Sequence, residues 1–564
     1  MKQPINAARG NIYDKKGKLL AYNELAYSIS INDSTTYSST KEKNKAVNAE
    51  LAEILTVLKN NGETLNNDFK IDRKKDGTYS FNVSGSSLNR FRADVFGKSS
   101  ADDLEYDKDT GIDEANATAE QIMEYLMGKD NFGISSKYDG DLAYRIVVVR
   151  YAMLGNRFAR YKEVKIAADV SDKTVAYVNE HMDTLSGISV NEDMIRKYNY
   201  SEYFSSIIGY TGPISESEYT ALHKKNKDYT QNDTVGKAGM EQYYETYLRG
   251  KNGERKFYID NVGRISEIIS STDSVAGDDL YLSIDADLQM ATYLALQNEI
   301  AAIVYSNIKS GEIPINDVYT ALIGNSVINT EHFSKSKASD TEKSVLSVFK
   351  SRQKTTLGKI KQELTSSPEA LNTMSDEVLD EFTYIISMLK DDQVLLKNEI
   401  DTSDSVYQKW KDQKISPKEY LNYCITQHWI DISQLNVDEK YADSTEVYDA
   451  LCKYILKNIK TDTEFSKIIY QYMITRGEIS PRQLCLILFD QGVLDYDDAT
   501  VNKLKNGSLS PRDFLMKKIY NIEITPAQLA LEPCTGSCVV TDEKTGEIRA
   551  MVSYPGYNLS LIHI

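Results

Sequence analysis

A chain of 564 residues is too long for one hydrophobic core, and at roughly 150 residues per domain it divides into three or four modules. Hydrophobic and charged fractions of 41% and 26% are those of a folded protein, and a net charge of -17 without clustered Lys and Arg excludes a binder of nucleic-acid backbones. The longest apolar runs, such as Ile146–Val149 and Leu484–Phe489, fall far short of the ~18 residues that cross a bilayer, and no signal peptide is read.

Tyrosine outnumbers phenylalanine 39 to 14, which suits half-wet packing surfaces and names no function. The five cysteines, Cys424, Cys452, Cys485, Cys534 and Cys538, lie late in the chain. Without His or further Cys at ligand spacing, Cys534 and Cys538 are expected to be small buried thiols in preference to a disulfide or metal pair. His181, His223, His332, His428 and His563 are scattered singly, so neither a zinc site nor a serine triad is indicated.

The predicted elements begin with RGNIYDKKGKLLA, residues 9–21, which reads as a tight hairpin. Asp14 can bond the turn backbone and Gly17 can take a positive φ. Residues 35–140 are polar and interrupted, with helical spacing at Lys45–Asn60 and Thr118–Met127, a strand near Thr78–Val83 and a short helix near Ser87–Phe96. From Leu142 to Val190 a helix, a strand at Glu163–Ala168 and a second helix follow, the second starting near Ser171–Thr174 and closed by Gly187. IRKYNYSEYFSSIIGYTGPIS then carries Arg196, Tyr198, Asn199, Ile208, Gly209, Tyr210 and Gly212.

Val235–Gly263 opens on Gly236 and Gly239. Met240, Tyr243, Tyr244, Tyr247 and Leu248 recur at helical spacing, which predicts one helix with these side chains buried and Glu245 and Arg249 on its exposed side. Gly250 ends that helix, and Lys251-Asn252-Gly253 turns into a strand, Arg255–Val262. Gly277–Glu299 is a strand, an acidic turn and an amphipathic helix; Asp285 and Asp287 are read as helix-capping groups in preference to a metal or acid pair. Beyond it the chain is mostly helical, with Val378, Leu379, Phe382, Ile385, Ile386 and Leu389 expected on one face of Glu377–Leu389. Ser416-Pro417, Ser480-Pro481, Ser510-Pro511 and Thr525-Pro526 each place a capping hydroxyl before a proline, and Gly492 ends one helix. Gly536–Thr541 and Glu547–Ser553 predict paired strands around a turn at Asp542–Gly546.

Three of these stretches, R-G-x-I-x-D-x-x-G-x-x-L-A at residue 9, the Arg196–Gly212 stretch, and G-x-x-G-x-E-x-x-Y-E-x-x-L-x-G-x-x-G at residue 236, resemble in order the signatures of the N-terminal pedestal of class B penicillin-binding proteins. The wording of GMEQYYETYLRG, NVGR and DLYLSIDADLQ is similar to the rod-elongation branch. Lys15 and Asn199 stand where that family usually has Arg and Pro.

The fold class implied is α+β. It comprises a pedestal or dimerisation domain at 1–34 and 141–276 with a variable lobe inserted at 35–140, and the beginning of a transpeptidase α/β sandwich at 277–300 and 525–558. A mostly helical insertion at 301–524 interrupts the sandwich, and 559–564 reads as a truncation end. The resemblance implies a pedestal core built from Arg9, Asp14, Arg196, Gly236, Gly239 and Glu241, in which Arg9, Arg196 and Glu241 meet; the competing reading is three exposed charges.

It also implies a serine-type D,D-transpeptidase in the intact protein. That enzyme takes stem peptides and β-lactams, needs no cofactor, is held in the cell membrane by one N-terminal anchor expected to be absent here, and works with a membrane glycosyltransferase or as a homodimer. The family's S-x-x-K, S-x-N and K-T-G are not found in their proper order. Lys544-Thr545-Gly546 precedes the place of the nucleophile, and the S-x-x-K spellings at Ser38, Ser334, Ser347 and Ser351 do not follow the resumed domain, so no catalytic residue is assigned. The alternative is a non-catalytic scaffold that docks a glycosyltransferase.

Overall fold

The computed structural model describes residues 2–33, 37–74, 77–83, 85–108, 110–155, 163–185, 187–230, 233–259, 265–366, 369–435 and 443–559. The NVGR stretch at 261–264, the end of the strand expected to reach Val262, His563 and most of the 559–564 tail lie outside the described residues. The chain forms two compact units, one of residues 1–289, 540–551 and 556–564, the other of residues 290–539 and 552–555. Both helices and sheets are present, so the class is α+β.

The first unit is built on the long strand Leu19–Ile31. Ile12–Tyr13 folds back onto its start as the other arm of the hairpin, and Ile188–Tyr198 runs antiparallel along it from Ala21↔Tyr198 to Ile31↔Ile188. Val164–Ala167 pairs with its far end, and Leu280–Tyr281 lies parallel to Ile12–Tyr13 to complete five strands. Gly17 takes φ +83° at the hairpin turn.

Three hydrophobic clusters sit on this sheet and its lobe. Helix Thr40–Asn60, capped by the Ser39 side chain, buries Val47, Leu51, Ile54, Leu55 and Leu58 against Ile29, Ile31, Ile166 and Val178. A second cluster gathers Phe69, Phe91, Ile122, Met123 and Leu126. Helix Gly140–Gly155 serves both: Ile146 and Val149 face the first cluster, Val147 and Val148 the second, which is why four apolar residues stand in a row. The third cluster, Ile12, Leu20, Tyr198, Phe204, Ile207, Ile208, Leu248 and Leu282, lies under the stretches that resemble the pedestal signatures. One sequence expectation fails here. Helix Asp172–Glu180 ends at His181, and Gly187 instead opens the next strand, its N–H donated to the Glu50 carboxylate at 3.0 Å.

The second unit is mostly helical. Ser416, Ser480, Ser510 and Thr525 all cap helices whose first residue is proline, each accepting the backbone N–H three residues on. A regularity not seen in the sequence underlies this. Gly477, Gly492, Gly507 and Ile522 stand 15 residues apart, and each takes a left-handed φ, between 59° and 81°. Two residues after each, the N–H of Ile479, Leu494, Leu509 or Ile524 reaches back six residues to the carbonyl of Met473, Leu488, Lys503 or Lys518, at 3.1 to 3.3 Å.

Gly311 with Ile313, Ser326 with Ile328 and Gln393 with Leu395 repeat the device. Each of these helices is therefore closed by a left-handed residue followed by an apolar plug, and from Gly477 onward the next helix starts within six residues. This is a tandem array of short helical units. In helix Asp376–Asp391, Phe382, Ile385, Ile386 and Leu389 are buried, whereas Val378 and Leu379 are only half-buried, and two carboxylates, Glu377 and Glu381, occupy the core instead.

Candidate functional site

The chemistry-bearing residues of the first unit converge behind the hairpin. Arg9 precedes the strand Ile12–Tyr13, Arg196 stands opposite Asn23 in the Leu19–Ile31 pairing, and Glu241 comes from the short helix Gly239–Tyr243. Arg9 Nε donates to Glu241 Oε2 at 2.5 Å and Arg9 Nη2 to the Glu241 carbonyl at 2.8 Å; Arg196 Nε donates to Glu241 Oε1 at 2.8 Å. Glu241 is fully buried, and its one carboxylate bridges two guanidinium groups that lie far apart in the sequence.

A second buried carboxylate joins them. Glu245 Oε2 lies 2.8 Å from Arg9 Nη1, and the same oxygen accepts the Gly236 N–H at 2.8 Å, while Oε1 accepts the Tyr229 hydroxyl at 3.3 Å. Asn23 links the arginines, donating to the Arg9 carbonyl and accepting from Arg196 Nη1 at 3.4 Å. Arg249 stacks on the Tyr229 ring and bonds Asp233 at 2.6 Å.

The electrostatics follow from burial. Desolvation alone would lower the Arg9 pKa, but the nearby carboxylates of Glu241 and Glu245 outweigh it and hold the guanidinium above its ordinary value. The Tyr198 and Tyr229 hydroxyls are pushed up to about 12, by burial first and then by Glu241 and Glu245 respectively. Arg9 is thus held charged and the two tyrosine hydroxyls are held protonated, and the arrangement ties strands together by paired charges.

This corrects the sequence reading of 235–250. The stretch forms two short helices, Gly239–Tyr243 and Glu245–Leu248, not one. Tyr243 and Tyr247, expected in the core, are 79% and 61% exposed, whereas Glu245, expected outside, is 5% exposed. Buried ion pairing decides the face here, overriding apolar spacing. The exposed Tyr243 edges a shallow cleft of 320 Å³ with Ser206, Ile207, Met240, Tyr244 and Met551, which holds no charged group.

Two glycines let the backbone reach this geometry. A Cβ on Gly236 would fall 2.0 Å from the Glu241 carbonyl oxygen, and Gly239 takes φ +58° where a Cβ would fall 2.5 Å from the Ile207 oxygen. Asp14, also fully buried, does separate work. Its Oδ1 accepts the N–H groups of Lys16 and Lys18 at 2.8 and 2.7 Å, and its Oδ2 accepts that of Ala286 at 3.0 Å, tying the hairpin to the start of helix Ala286–Ser310. Asp14→Ala strands three N–H groups, at about 1 to 3 kcal/mol for each that stays buried. The calorimetric transition of the first unit is expected to fall by roughly 3 kcal/mol in stability, with Asp14→Asn recovering part of the loss.

Asp285 Oδ1 accepts the N–H groups of Asp287 and Leu288, a cap on the same helix, and Lys16 and Lys18 pair with Asp285 and Asp287. Lys544-Thr545-Gly546 is the turn between strands Gly536–Thr541 and Ile548–Tyr554. Asp542 accepts the N–H groups of Lys544 and Thr545, and the Arg549 guanidinium first, then these N–H groups, hold its carboxyl at about 2. The serines spelling S-x-x-K are structural: Ser38 donates to Glu42, Ser334 to the Glu331 carbonyl, and Ser347 and Ser351 lie on the solvent side of helix Asp340–Thr365. All five cysteines are free thiols; Cys424, Cys452 and Cys485 are buried, while Cys534 and Cys538 are only partly so. Among the described residues no three His, Cys, Asp or Glu could hold a metal, and no helix is long and apolar enough to cross a membrane.

Comparison with known proteins places this arrangement. Residues 4–282 match the Penicillin-binding Protein dimerisation domain. The chain is 28% identical over 157 residues to the peptidoglycan D,D-transpeptidase MrdA of Salmonella typhimurium, covering 28% of this chain and 25% of that protein. It is 33% identical over 136 residues to penicillin-binding protein 2A of Bacillus subtilis, covering 24% and 19%. The matched stretch thus spans about a quarter or less of those relatives' lengths. Penicillin-binding protein 2B of Streptococcus pneumoniae aligns with a TM-score of 0.32 at 22% identity, over 56% of this chain and 45% of its own. The complex of PBP2 with MreC from Helicobacter pylori gives a TM-score of 0.29 at 17% identity, over 53% and 38%. The family match, the elongation-enzyme relatives and the order of the signatures agree: the chain belongs to the class B, elongation-type penicillin-binding proteins.

Proposed function

We propose that this chain is the pedestal-bearing part of a peptidoglycan D,D-transpeptidase of cell-wall elongation. Its parts are the pedestal at 1–34 and 141–276 with the lobe 35–140, the opening of the transpeptidase domain at 277–300 and 525–558, and the helical insertion at 301–524. The observation that carries the reading is the Glu241 clamp on Arg9 and Arg196 within the stretch that matches the family. The whole protein would take the D-Ala-D-Ala end of a stem peptide, form an acyl-enzyme on a serine, release D-Ala and pass the acyl group to a neighbouring strand. β-Lactams would acylate the same serine.

Residues 1–564 supply the rigid support and a docking face for a membrane glycosyltransferase, at the outer surface of the membrane, as one copy or as a homodimer. A fluorescent β-lactam is expected to leave this polypeptide unlabelled, since no S-x-x-K follows the Gly536–Tyr554 hairpin among its residues; a covalent adduct contradicts that assignment.

The supporting role is tested by fusing the chain to a single membrane anchor and producing it in excess in the bacterium that encodes it. Elongating cells should round up, because an acylation-incompetent pedestal occupies the partner. The Glu241→Ala form should leave the rods intact. Rods in both cases overturn the supporting role.

A further inference from the structure

Helix Asp376–Asp391 buries two carboxylates one turn apart, Glu377 and Glu381, at 3% and 1% exposure. They are not equivalent. Glu377 accepts Arg352 Nη2 at 2.8 and 2.9 Å on its two oxygens and Arg476 Nη2 at 2.6 Å, so its charge is fully matched. Glu381 has no such clamp, and its Oε1 is buried without a hydrogen-bond partner among the described residues.

The elements packed on this helix account for its charged surroundings. Helix Asp340–Thr365 brings Arg352, whose second nitrogen lies 3.6 Å from Glu478, and Lys359. Helix Thr463–Thr475 and the turn after it bring Tyr472, bonded to Asp380 at 2.7 Å, and the Arg476 already engaged by Glu377. Helix Ser444–Ile459 brings Tyr454, bonded to Asp392 at the far end. The like charge of Glu377 stands next to Glu381, and the nearest arginine is already shared between Glu377 and Glu478. Lys359 and Arg352 favour the charged form, but neither forms an ion pair with Glu381, so an ionised carboxylate in that place is desolvated without a bonded counter-ion.

We propose that Glu381 is a proton-operated latch in the helical unit: the carboxylic acid form lets helix Asp376–Asp391 pack, and ionisation sets a second negative charge beside Glu377 and loosens it. Burial first, then Glu377, pushes the Glu381 carboxyl up to about 8. The folded value lies above the ordinary one of about 4.3, so the folded state keeps a proton that the unfolded chain releases. The stabilisation from this group is complete below about pH 4.3 and is lost progressively up to about pH 8, beyond which it changes no further.

The two tryptophans make the test possible on the whole chain, because both belong to this unit. Trp410 stacks on Tyr420, and Trp429 is 5% exposed. Thermal melts followed by tryptophan fluorescence therefore report the helical unit alone. Glu381→Gln, which imitates the protonated acid, should raise the midpoint at pH 8 by about 5 °C relative to the parent and by much less at pH 5. A difference between the two proteins that is the same at both pH values overturns the proposal. Infrared spectroscopy of the parent protein decides the case should the variant fold poorly. A protonated-carboxyl band that persists at pH 7 and vanishes by about pH 9 supports the latch, and its absence at pH 7 overturns it.

Discussion

Glu241→Ala is expected to unfold the first unit some 10 °C earlier, equivalent to about 3 to 5 kcal/mol. The loss comes less from forfeited attraction than from what is left behind. Arg9 keeps Glu245, but Arg196, buried beside the Tyr198 ring and with its Nη2 already lacking an acceptor, would face Asn23 alone. Glu241→Gln should be nearly as damaging, since although it fills the space it leaves the buried Arg196 charge unmatched. Calorimetry resolves the effect if the two compact units melt separately, and the tryptophan-reported transition of the helical unit should not move. An unchanged first transition would mean that the cluster is a bystander.

Gly236→Ala should have an effect of the same order by a different route. A methyl group there meets the Glu241 carbonyl carbon and oxygen at 2.2 and 2.0 Å and the Gln242 nitrogen at 2.5 Å, all backbone atoms that no side-chain rotation can clear. The strand Thr234–Gly236 must then move away from Gly239–Tyr243, and the Gly236 N–H leaves Glu245. A destabilisation of about 4 kcal/mol is expected, at the upper end of single-residue effects. Gly17→Ala provides the contrast: nothing lies within 4 Å of its Cβ position, and only the left-handed φ of +83° is strained, at roughly 1 kcal/mol. If the two variants cost the same, close backbone approach is not what Gly236 provides.

Local chemistry was readable from the sequence wherever a residue acts on its own neighbours. The Asp14 turn, the Ser-Pro helix starts and the Asp285 cap need only adjacent backbone, and all three stand as their spacing suggested. Residues whose partners lie far along the chain were misjudged. Apolar periodicity put Tyr243 and Tyr247 inside and Glu245 outside, because nothing nearby announces that Arg9, more than 200 residues away, will reach it. Glu377 and Glu381 were missed for the same reason.

The 15-residue period of the helical array was missed for another reason. Its marker is a backbone conformation and not a residue type: glycine supplies it at 477, 492 and 507, but isoleucine does so at 522. The interval from Gly477 to Gly492 and Gly507 was the available signal.

The coupling between Arg196 and Glu241 is the most direct test of the account. In a double-mutant cycle of Arg196→Met and Glu241→Leu, read from the first-unit transition, each single change should cost about 3 to 5 kcal/mol. The pair together should cost at least about 2 kcal/mol less than the sum, because removing both partners leaves one fewer charge unmatched in the core. Strict additivity would contradict the claim that this pedestal is held by a shared buried carboxylate.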